Sequence, residues 1–263
     1  SGAFEALDIV LPDGKVVSPI YPATVNHYFP TSHLAYACVV AALGKLNPSR
    51  AVAPPGLGNG AVAIGYAEGR NGKPTVQYEL MVSSLGGTAD HDGTPMVMGM
   101  CHFTPSTPVE IVETEYPIRI RKFDIWQDSA GAGRTRGGIG FVREYEMLSN
   151  VILTARTANH QQPGWGVDGG EGPPVCVTSL NPGGPDEIEL AALDTREAAS
   201  GTIVRLAQTG GSGYGDPKTR DAARVLDDVR NGYISVRGAE EKYGVVIVNG
   251  EIDTAATDAK RRA

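Results

Sequence analysis

Residues 128–140 read DSAGAGRTRGGIG and lie between two runs with the composition of β-strands. They hold five glycines and two arginines, Arg134 and Arg136. Glycine permits a positive φ and the close approach of another backbone or a ligand. The planar guanidinium of arginine suits carboxylates and phosphates. The stretch therefore has the parts of a polar binding loop, and equally those of a rigid turn closed by an internal ion pair.

Glycine and proline are abundant along the whole chain, with 34 glycines and 18 prolines among 263 residues. Other glycine clusters occupy residues 56–61, 86–93 and 210–217. Residues 56–61 match a dinucleotide-binding fingerprint in letters, but they follow two prolines and lack the strand–turn–helix context that the motif needs. No phosphate-loop motif occurs in the sequence. The pattern predicts many turns and few long helices, and it disfavours nucleotide binding by this chain.

The periodicities predict an α+β fold, a β-rich single domain over residues 1–263. A helix is expected near residues 32–46 and a helical segment near 219–243, within a helix–hairpin extension over 217–263. Strands are expected at 75–83, 109–112, 118–126, 188–193 and 202–206, and hairpins at 4–17, at 141–158 around Ser149-Asn150, and at 245–252. Residues 96–103 look buried, 161–177 look like a loop, and the tail from Asp253 is expected to fray.

Composition and charge indicate a globular protein without a nucleic-acid or membrane surface. Charged residues make up 20% of the chain, hydrophobic residues 41%, and the formal net charge is −7, which disfavours anionic partners. No apolar run approaches the roughly 20 residues of a spanning helix. The three cysteines Cys38, Cys101 and Cys176 are far apart and suggest neither a zinc site nor a disulfide framework. A cytoplasmic protein is expected.

The sequence contains only weak patterns for a metal-binding site or for a catalytic nucleophile. Asp90-His91-Asp92 offers possible ligands, but neighbouring residues of an extended chain point to opposite faces, so a solvated turn is favoured. Cys101 and His102 are neighbours in sequence, which does not place them within hydrogen-bond reach. Ser1 could act as an N-terminal nucleophile, although Ser1-Gly2 is more simply a remnant of cleavage. No metal or cofactor is therefore expected on this chain.

The candidate site residues are Asp128, Ser129, Arg134, Arg136, His91 and Asp92, as groups that line a cavity or an interface. Both arginines could grip one carboxylate or phosphate of a ligand. The alternative is that they pair with Asp128, Glu144 or Glu146 and hold the loop in shape. The residues alone leave both interpretations open, and the catalytic residues unidentified.

Several motifs together resemble the hydantoinase B family, which includes subunits of hydantoinases, 5-oxoprolinase and ketone carboxylases. Besides residues 128–138, the resemblance is carried by TPVE at 107–110, ETEYP at 113–117, WGVDGG at 165–170, GGSGYGDP at 210–217, DDVRNG at 227–232 and YGV at 243–245. Ala130 replaces a usual glycine, and Ser212 is a second departure. The motifs keep the family's order over nearly the whole chain, and they correspond to the C-terminal half of a usual family member.

The resemblance implies a part, or a split subunit, of an ATP-dependent cyclic-amide hydrolase or ketone carboxylase that is inactive alone. The implied partners are a hydantoinase A-like ATP-binding subunit, the N-terminal hydantoinase B half and a small-molecule substrate. ATP would lie on the partner subunit, and a divalent metal in the missing N-terminal half. The alternative is a structural module of such a complex without site residues. The substrate, and the choice between hydrolase and carboxylase, stay open.

Overall fold

The computed structural model describes residues 5, 8–25, 28–58, 60–97 and 106–262. Two antiparallel sheets share one core. The four-stranded sheet has the order β2-β1-β5-β8 and the five-stranded sheet the order β3-β4-β9-β6-β7. The strands are β1 (Gly60–Tyr66), β2 (Thr75–Met81), β3 (Ile118–Trp126), β4 (Gly140–Met147), β5 (Val151–Arg156), β6 (Val177–Leu180), β7 (Ile188–Glu189), β8 (Leu193–Ala198) and β9 (Ile203–Gln208). With the helices given below, the predicted α+β class is confirmed.

Alternation of apolar side chains builds the core between the sheets. Tyr145 and Met147 of β4 and Leu206 of β9 point inward from the larger sheet, and Ile64 and Leu153 meet them from the smaller one. Each of these side chains is at least 98% buried. Burial of such side chains stabilises the fold by about 1.5–3 kcal/mol each.

The hairpin predicted at residues 141–158 is wrong, although both of its strands exist. β4 pairs with β3 and β9, whereas β5 pairs with β1 and β8. Residues 148–150 therefore carry the chain from one sheet to the other. Both strands have an apolar face, and these faces meet across the core instead of lying side by side.

The predictions of a strand at residues 109–112 and of a loop at 161–177 also need correction. Residues 109–112 are not a strand but begin α2 (Val109–Glu115), where Pro108 is the N-cap and Glu110 lies in the first turn. A proline and an acid at a helix start outweigh the β-branched residues. Strand β6 begins at the end of the loop predicted at 161–177. The strands predicted at 118–126 and 202–206 are confirmed as β3 and β9.

The first helix is longer than predicted. Helix α1 (Tyr28–Leu46) begins four residues before residue 32 and contains Pro30 in its first turn, where proline is tolerated because its missing N–H has no helical acceptor. A short 3₁₀ turn, Pro48–Arg50, follows. Of the hairpin predicted at residues 4–17, the structure describes residues 5 and 8–17. The one β-bridge that involves them joins Lys15 to Ser18, just beyond the predicted range.

The run predicted to be buried at 96–103 lies mostly outside the described residues. Its first two residues, Met96 and Val97, are more than a third exposed. None of the described helices is both long enough and apolar enough to span a bilayer.

The C-terminal region follows its local signals closely. Helix α3 (Ala222–Arg230) is capped by Asp221, and α4 (Val236–Tyr243) starts after Ser235 and ends at Gly244, which has a φ of 64°. Strands β10 (Ile247–Val248) and β11 (Glu251–Ile252) form the predicted hairpin around Asn249-Gly250.

The tail does not fray. It forms α5 (Thr254–Arg262), in which buried Thr257 accepts a hydrogen bond from the Val246 amide. The backbone carbonyl of Tyr243 also accepts from Arg261. These contacts outweigh the polar composition that suggested disorder.

Candidate functional site

Residues 128–140 lie at the centre of four crossing loops, the others being 85–94, 164–172 and 210–217. The Gly131 amide donates to the Gly211 carbonyl at 2.8 Å, and the Gly211 amide donates to Gly138 at 2.9 Å. Gly138 in turn donates to Leu85 at 2.9 Å. The backbone polar groups of the stretch are therefore largely used inside the protein.

The crossings explain why glycine is needed here. A Cβ on Gly137 would lie 1.8 Å from the Gly211 oxygen, and one on Gly213 would lie 1.9 Å from the Ala132 oxygen. Both are far closer than a carbon and an oxygen can approach. The glycines of this stretch serve backbone-to-backbone packing.

Asp128 and Ser129 hold the loop to its neighbours. Asp128 has a φ of 60°, and its Oδ1 accepts from the Ser235 amide at 2.9 Å, just before α4. Ser129 is fully buried, and its Oγ accepts from the Gly140 amide at 2.8 Å. Both side chains connect parts of the same chain.

The two arginines behave differently. Arg136 is buried, and its Nε lies 3.0 Å from Oδ1 of Asp228 while its guanidinium stacks over Tyr233. Arg134 is exposed and lies over the Tyr214 ring at 5.7 Å. None of the predicted partners is used, because Glu144 pairs with Arg205 and Glu146 with Arg121.

Asp92 is the centre of an ion network that the sequence did not reveal. Arg220 donates to both of its carboxylate oxygens at 2.8 and 2.9 Å, and Arg224 adds a contact of 2.7 Å. The backbone amide of Arg136 donates to the same carboxylate at 2.9 Å. The prediction of a solvated turn is therefore wrong for Asp92, whereas the neighbouring His91 is exposed.

Arg220 completes the network, and its side chain is 1% exposed. It also donates to Asp228 at 2.8 Å and to the backbone carbonyl of Arg134 at 3.1 Å. We call Asp92, Arg136, Arg220, Arg224 and Asp228 the ion lock. It ties the loop at 85–94 and residues 128–140 to the C-terminal helices.

Electrostatics keep the ion lock charged. Burial alone would raise the pKa of Asp92, but the hydrogen bonds and charge of Arg220, with Arg136 and Arg224, lower it below its ordinary value. Asp92 therefore stays ionised at neutral pH, with its two oxygens occupied by arginine. A carboxylate held in this way is a structural anion, and a poor proton acceptor.

Sequence reasoning brought out Asp92 and Arg136, which the ion lock joins, but not Arg220 or Asp228. Asp228 lies in the DDVRNG motif and could have been singled out by it. Arg220 carries no local signal, because its partners are 128 and 8 positions away. Asp128, Ser129, His91 and the Arg134 side chain stay outside the lock.

A metal does not fit the described residues. Among residues 5, 8–25, 28–58, 60–97 and 106–262, no group of three or more His, Cys, Asp or Glu could hold a metal ion. Both carboxylate oxygens of Asp92 accept hydrogen bonds from arginine side chains. Ser1, His27, Cys101 and His102 lie outside the described residues. Burial raises the pKa of the Cys176 thiol to about 12, so this cysteine is not a nucleophile at neutral pH.

Comparisons with known proteins extend this description. A family model described as hydantoinase B/oxoprolinase matches residues 1–217. A putative D-/L-hydantoinase subunit of the B type, from Pseudomonas sp. strain NS671, is 30% identical over 265 residues, which cover 100% of this chain and 44% of that protein. The chain thus spans less than half of that relative's length.

Two solved structures also match this chain over part of their own length. The ATP-dependent caprolactamase of Pseudomonas jessenii superposes with a TM-score of 0.85 at 32% identity, over 97% of this chain and 46% of that one. Acetone carboxylase in its nucleotide-free form matches with a TM-score of 0.71 at 22% identity, over 81% of this chain and 33% of that one. At 22% identity the second likeness concerns the fold alone.

Proposed function

The chain belongs to the hydantoinase B/oxoprolinase family, and from that premise we propose that it forms the C-terminal part of an ATP-dependent, multi-subunit enzyme. The enzyme class is a cyclic-amide hydrolase of the hydantoinase or oxoprolinase type, or a related ketone carboxylase. In this proposal ATP is bound by a hydantoinase A-like subunit, and a divalent metal by the N-terminal half of the hydantoinase B-like subunit. This chain completes the substrate cavity and the subunit interface.

The observation that carries the proposal is the surface of helix α1. His33 and Ala37 are its buried residues, yet Val39, Leu43 and Leu46 on its other sides are 58%, 59% and 83% exposed. A helix that is apolar all round is normally buried. This one therefore supports a further protein layer over α1, and we assign that layer to the N-terminal half of the hydantoinase B-like subunit.

Within this proposal two of the candidate site residues are exposed, and the other four are buried or half-buried. His91 and Arg134 are exposed and can reach a partner or a substrate. Asp92, Asp128, Ser129 and Arg136 shape the loops that carry them, through the contacts described above. The exposed Arg134 guanidinium is the group of this set best suited to an anionic intermediate.

A second candidate function is a structural assembly module without site residues. It is favoured by the ion lock, because most polar groups of residues 128–140 bind other groups of the same chain. Under this alternative Arg134 serves stability or assembly alone.

The test uses the assembled complex of this chain with the N-terminal half and the A-like subunit. We expect ATP hydrolysis coupled to the opening of a cyclic amide such as 5-oxoproline, hydantoin or caprolactam, or else to bicarbonate-dependent carboxylation of a ketone. The product distinguishes the two enzyme classes. A complex that assembles fully but shows neither activity with any of these compounds would contradict the enzymatic proposal.

Two variants separate the interface from the site. Leu43→Glu should weaken assembly at least tenfold, whereas Val248→Glu, at a similarly exposed valine of β10, should leave it unchanged. Arg134→Ala should lower turnover with assembly intact. If Arg134→Ala lowers assembly alone, the structural alternative holds and the site role of Arg134 is lost.

A further inference from the structure

Four Asn-Gly pairs occur in the chain, at residues 59–60, 71–72, 231–232 and 249–250. Such a pair can lose the side-chain amide of asparagine without an enzyme, because glycine has no side chain to hinder attack by its own nitrogen. The attack requires a glycine amide that is free of hydrogen bonds and a carboxamide that can turn toward it. Asn59 lies outside the described residues, so the comparison concerns the other three pairs.

In the pair Asn71-Gly72 both reacting groups are held by hydrogen bonds. The Gly72 amide donates to the Gly69 carbonyl at 3.0 Å, and Oδ1 of Asn71 accepts from the Lys73 amide at 3.0 Å. The turn joins β1 to β2, which pair along seven residues each. A long hairpin with an internally bonded turn opens rarely, so this pair is protected.

The pair Asn231-Gly232 is protected in the same manner at the end of α3. The Gly232 amide donates to the Val229 carbonyl at 3.0 Å, and the Asn231 side chain donates to the Asp227 carbonyl at 2.8 Å. Asn231 is also the C-cap of that helix. Because the attacking nitrogen must lose its proton, the hydrogen bond to Val229 slows the reaction while the helix is intact.

The pair Asn249-Gly250 has neither restraint. Within the described part of the chain, the Gly250 amide donates no hydrogen bond and the Asn249 side chain makes none. Both residues are exposed. Apart from its chain neighbours, no described atom lies within 4 Å of the place that a Cβ on Gly250 would occupy. The asparagine side chain and the attacking water therefore have room around this turn.

The hairpin that carries this pair is short enough to open by itself. It joins Ile247 to Ile252 and Val248 to Glu251, which are its two residue pairs. Isolated two-stranded hairpins are marginally stable in water, and short exposed elements open at little cost in free energy. Asn249 is restrained at a φ of 51° in the closed turn, and opening releases the backbone rotation that the attack needs.

We propose that Asn249 is a site of spontaneous modification, which converts to aspartate and isoaspartate faster than Asn71 or Asn231. The Gly250 nitrogen loses its proton and bonds to Cγ of Asn249, and the side-chain nitrogen leaves as ammonia. Water then adds to either carbonyl of the resulting cyclic imide and opens the ring. No oxidant, cofactor or partner takes part, so the inference is independent of the reaction that the assembled enzyme performs.

The isoaspartate product changes the backbone of the hairpin as well as its charge. The main chain then passes through the former side-chain carbon, which lengthens a turn that fits two ordinary residues. The ladder of β10 and β11 loses its register as a result. The contacts of Arg230 with Glu251 at 3.1 Å and with the Gly250 carbonyl at 3.4 Å depend on the same turn.

Peptide mass spectrometry of the incubated chain tests the order in which the sites react. Lysines and arginines separate the four asparagines, so trypsin places each of them in its own peptide. In the folded chain we expect Asn249 to convert at least about tenfold faster than Asn71 and Asn231. The matched control is the same chain unfolded in guanidinium chloride, where the rates of the pairs should agree within about threefold.

A second measurement tests the effect on the hairpin. The isoaspartyl form is separated by chromatography and compared with Asn249→Asp, which has the same charge and an ordinary backbone. Hydrogen exchange of the β10 and β11 amides should accelerate in the isoaspartyl form alone. The proposal is overturned if Asn71 or Asn231 converts as fast as Asn249 in the folded chain, if Asn249 converts only after unfolding, or if both forms exchange alike.

Discussion

Gly137 shows how one hydrogen atom in place of a side chain decides whether loops can cross. Because its Cβ would lie 1.8 Å from backbone oxygen, Gly137→Ala should destabilise the chain by more than about 4 kcal/mol or prevent folding. The matched control is Gly65→Ala in β1, where the nearest atom would lie 3.7 Å away. Urea unfolding followed by circular dichroism measures both. A Gly137→Ala chain as stable as Gly65→Ala would mean that the loops do not cross as described.

Arg220 is the residue on which the ion lock depends. Arg220→Ala leaves Asp92 and Asp228 buried with less compensating charge, and breaking a buried pair in this way costs about 3–5 kcal/mol. Arg230→Ala removes an arginine that pairs with Glu251 on the surface, and should cost less than about 1 kcal/mol. Denaturant midpoints of the two variants give the comparison. Equal losses would show that burial of the pair is unimportant.

The ion lock also makes stability depend on acid. The folded-state pKa of Asp92 lies below its ordinary value of 3.8, so the unfolded state binds a proton first as the pH falls. The contribution of Asp92 is present above pH 3.8 and is lost as the pH falls through the folded value. Asp92→Asn should therefore be less stable than the native chain at pH 7 and closer to it at pH 3. A constant difference across that range would contradict the assignment.

At the scale of elements, local signals predicted helices and turns better than the pairing of strands. Helix α4 lies within the helical segment predicted near 219–243, and Ser235 and Gly244 mark its two ends. The hairpin at Asn249-Gly250 is likewise set by two residues with positive φ. The error at 141–158 is of another kind, because either sheet can accept an alternating strand. Which one does so depends on partner strands elsewhere in the chain, such as β9 for β4 and β1 for β5.

In the candidate site, too, the sequence predicted local features but not the contacts between distant residues. Glycine and arginine in residues 128–140 predicted a loop with a special backbone, which is what the structure contains. The partners of that loop come from residues 85–94, 164–172 and 210–235, and no local pattern indicates which residue pairs with which. The polar residues were therefore identifiable, but their pairing was not.

One of the hydrogen bonds that dock helix α5 can be removed without touching the others. Thr257→Ala deprives the Val246 amide of its acceptor at 3.0 Å, so we expect a loss of about 1–3 kcal/mol. Thr254→Ala, at an exposed position of the same helix, should change stability by less than about 0.5 kcal/mol. Hydrogen exchange of the Val246 amide should accelerate in the first variant alone. Unchanged exchange would show that α5 is held by other contacts.

At the scale of the whole molecule, the C-terminal helices and the sheets should unfold together. Ala132 of the central loop packs in one cluster with Val225, Ile234 and Tyr243, and the ion lock joins the same parts. A single domain over residues 1–263 is thus a prediction with a direct test. Near-ultraviolet and far-ultraviolet circular dichroism should report coincident transitions. Separate melting of residues 217–263 would instead identify an independent unit.

The long reach of the ion lock has a consequence for the order of synthesis. Asp92 leaves the ribosome 128 residues before Arg220, an interval of roughly 6 to 26 s at bacterial and eukaryotic elongation rates. During that interval the glycine-rich loops can collapse but cannot form the complete ion lock, because Arg220 has not yet been synthesised. The nascent chain is therefore an open intermediate while the 128 residues from Asp92 to Arg220 are translated. Slow codons placed before the C-terminal helices would lengthen the time in which chaperones, or a partner subunit, meet it.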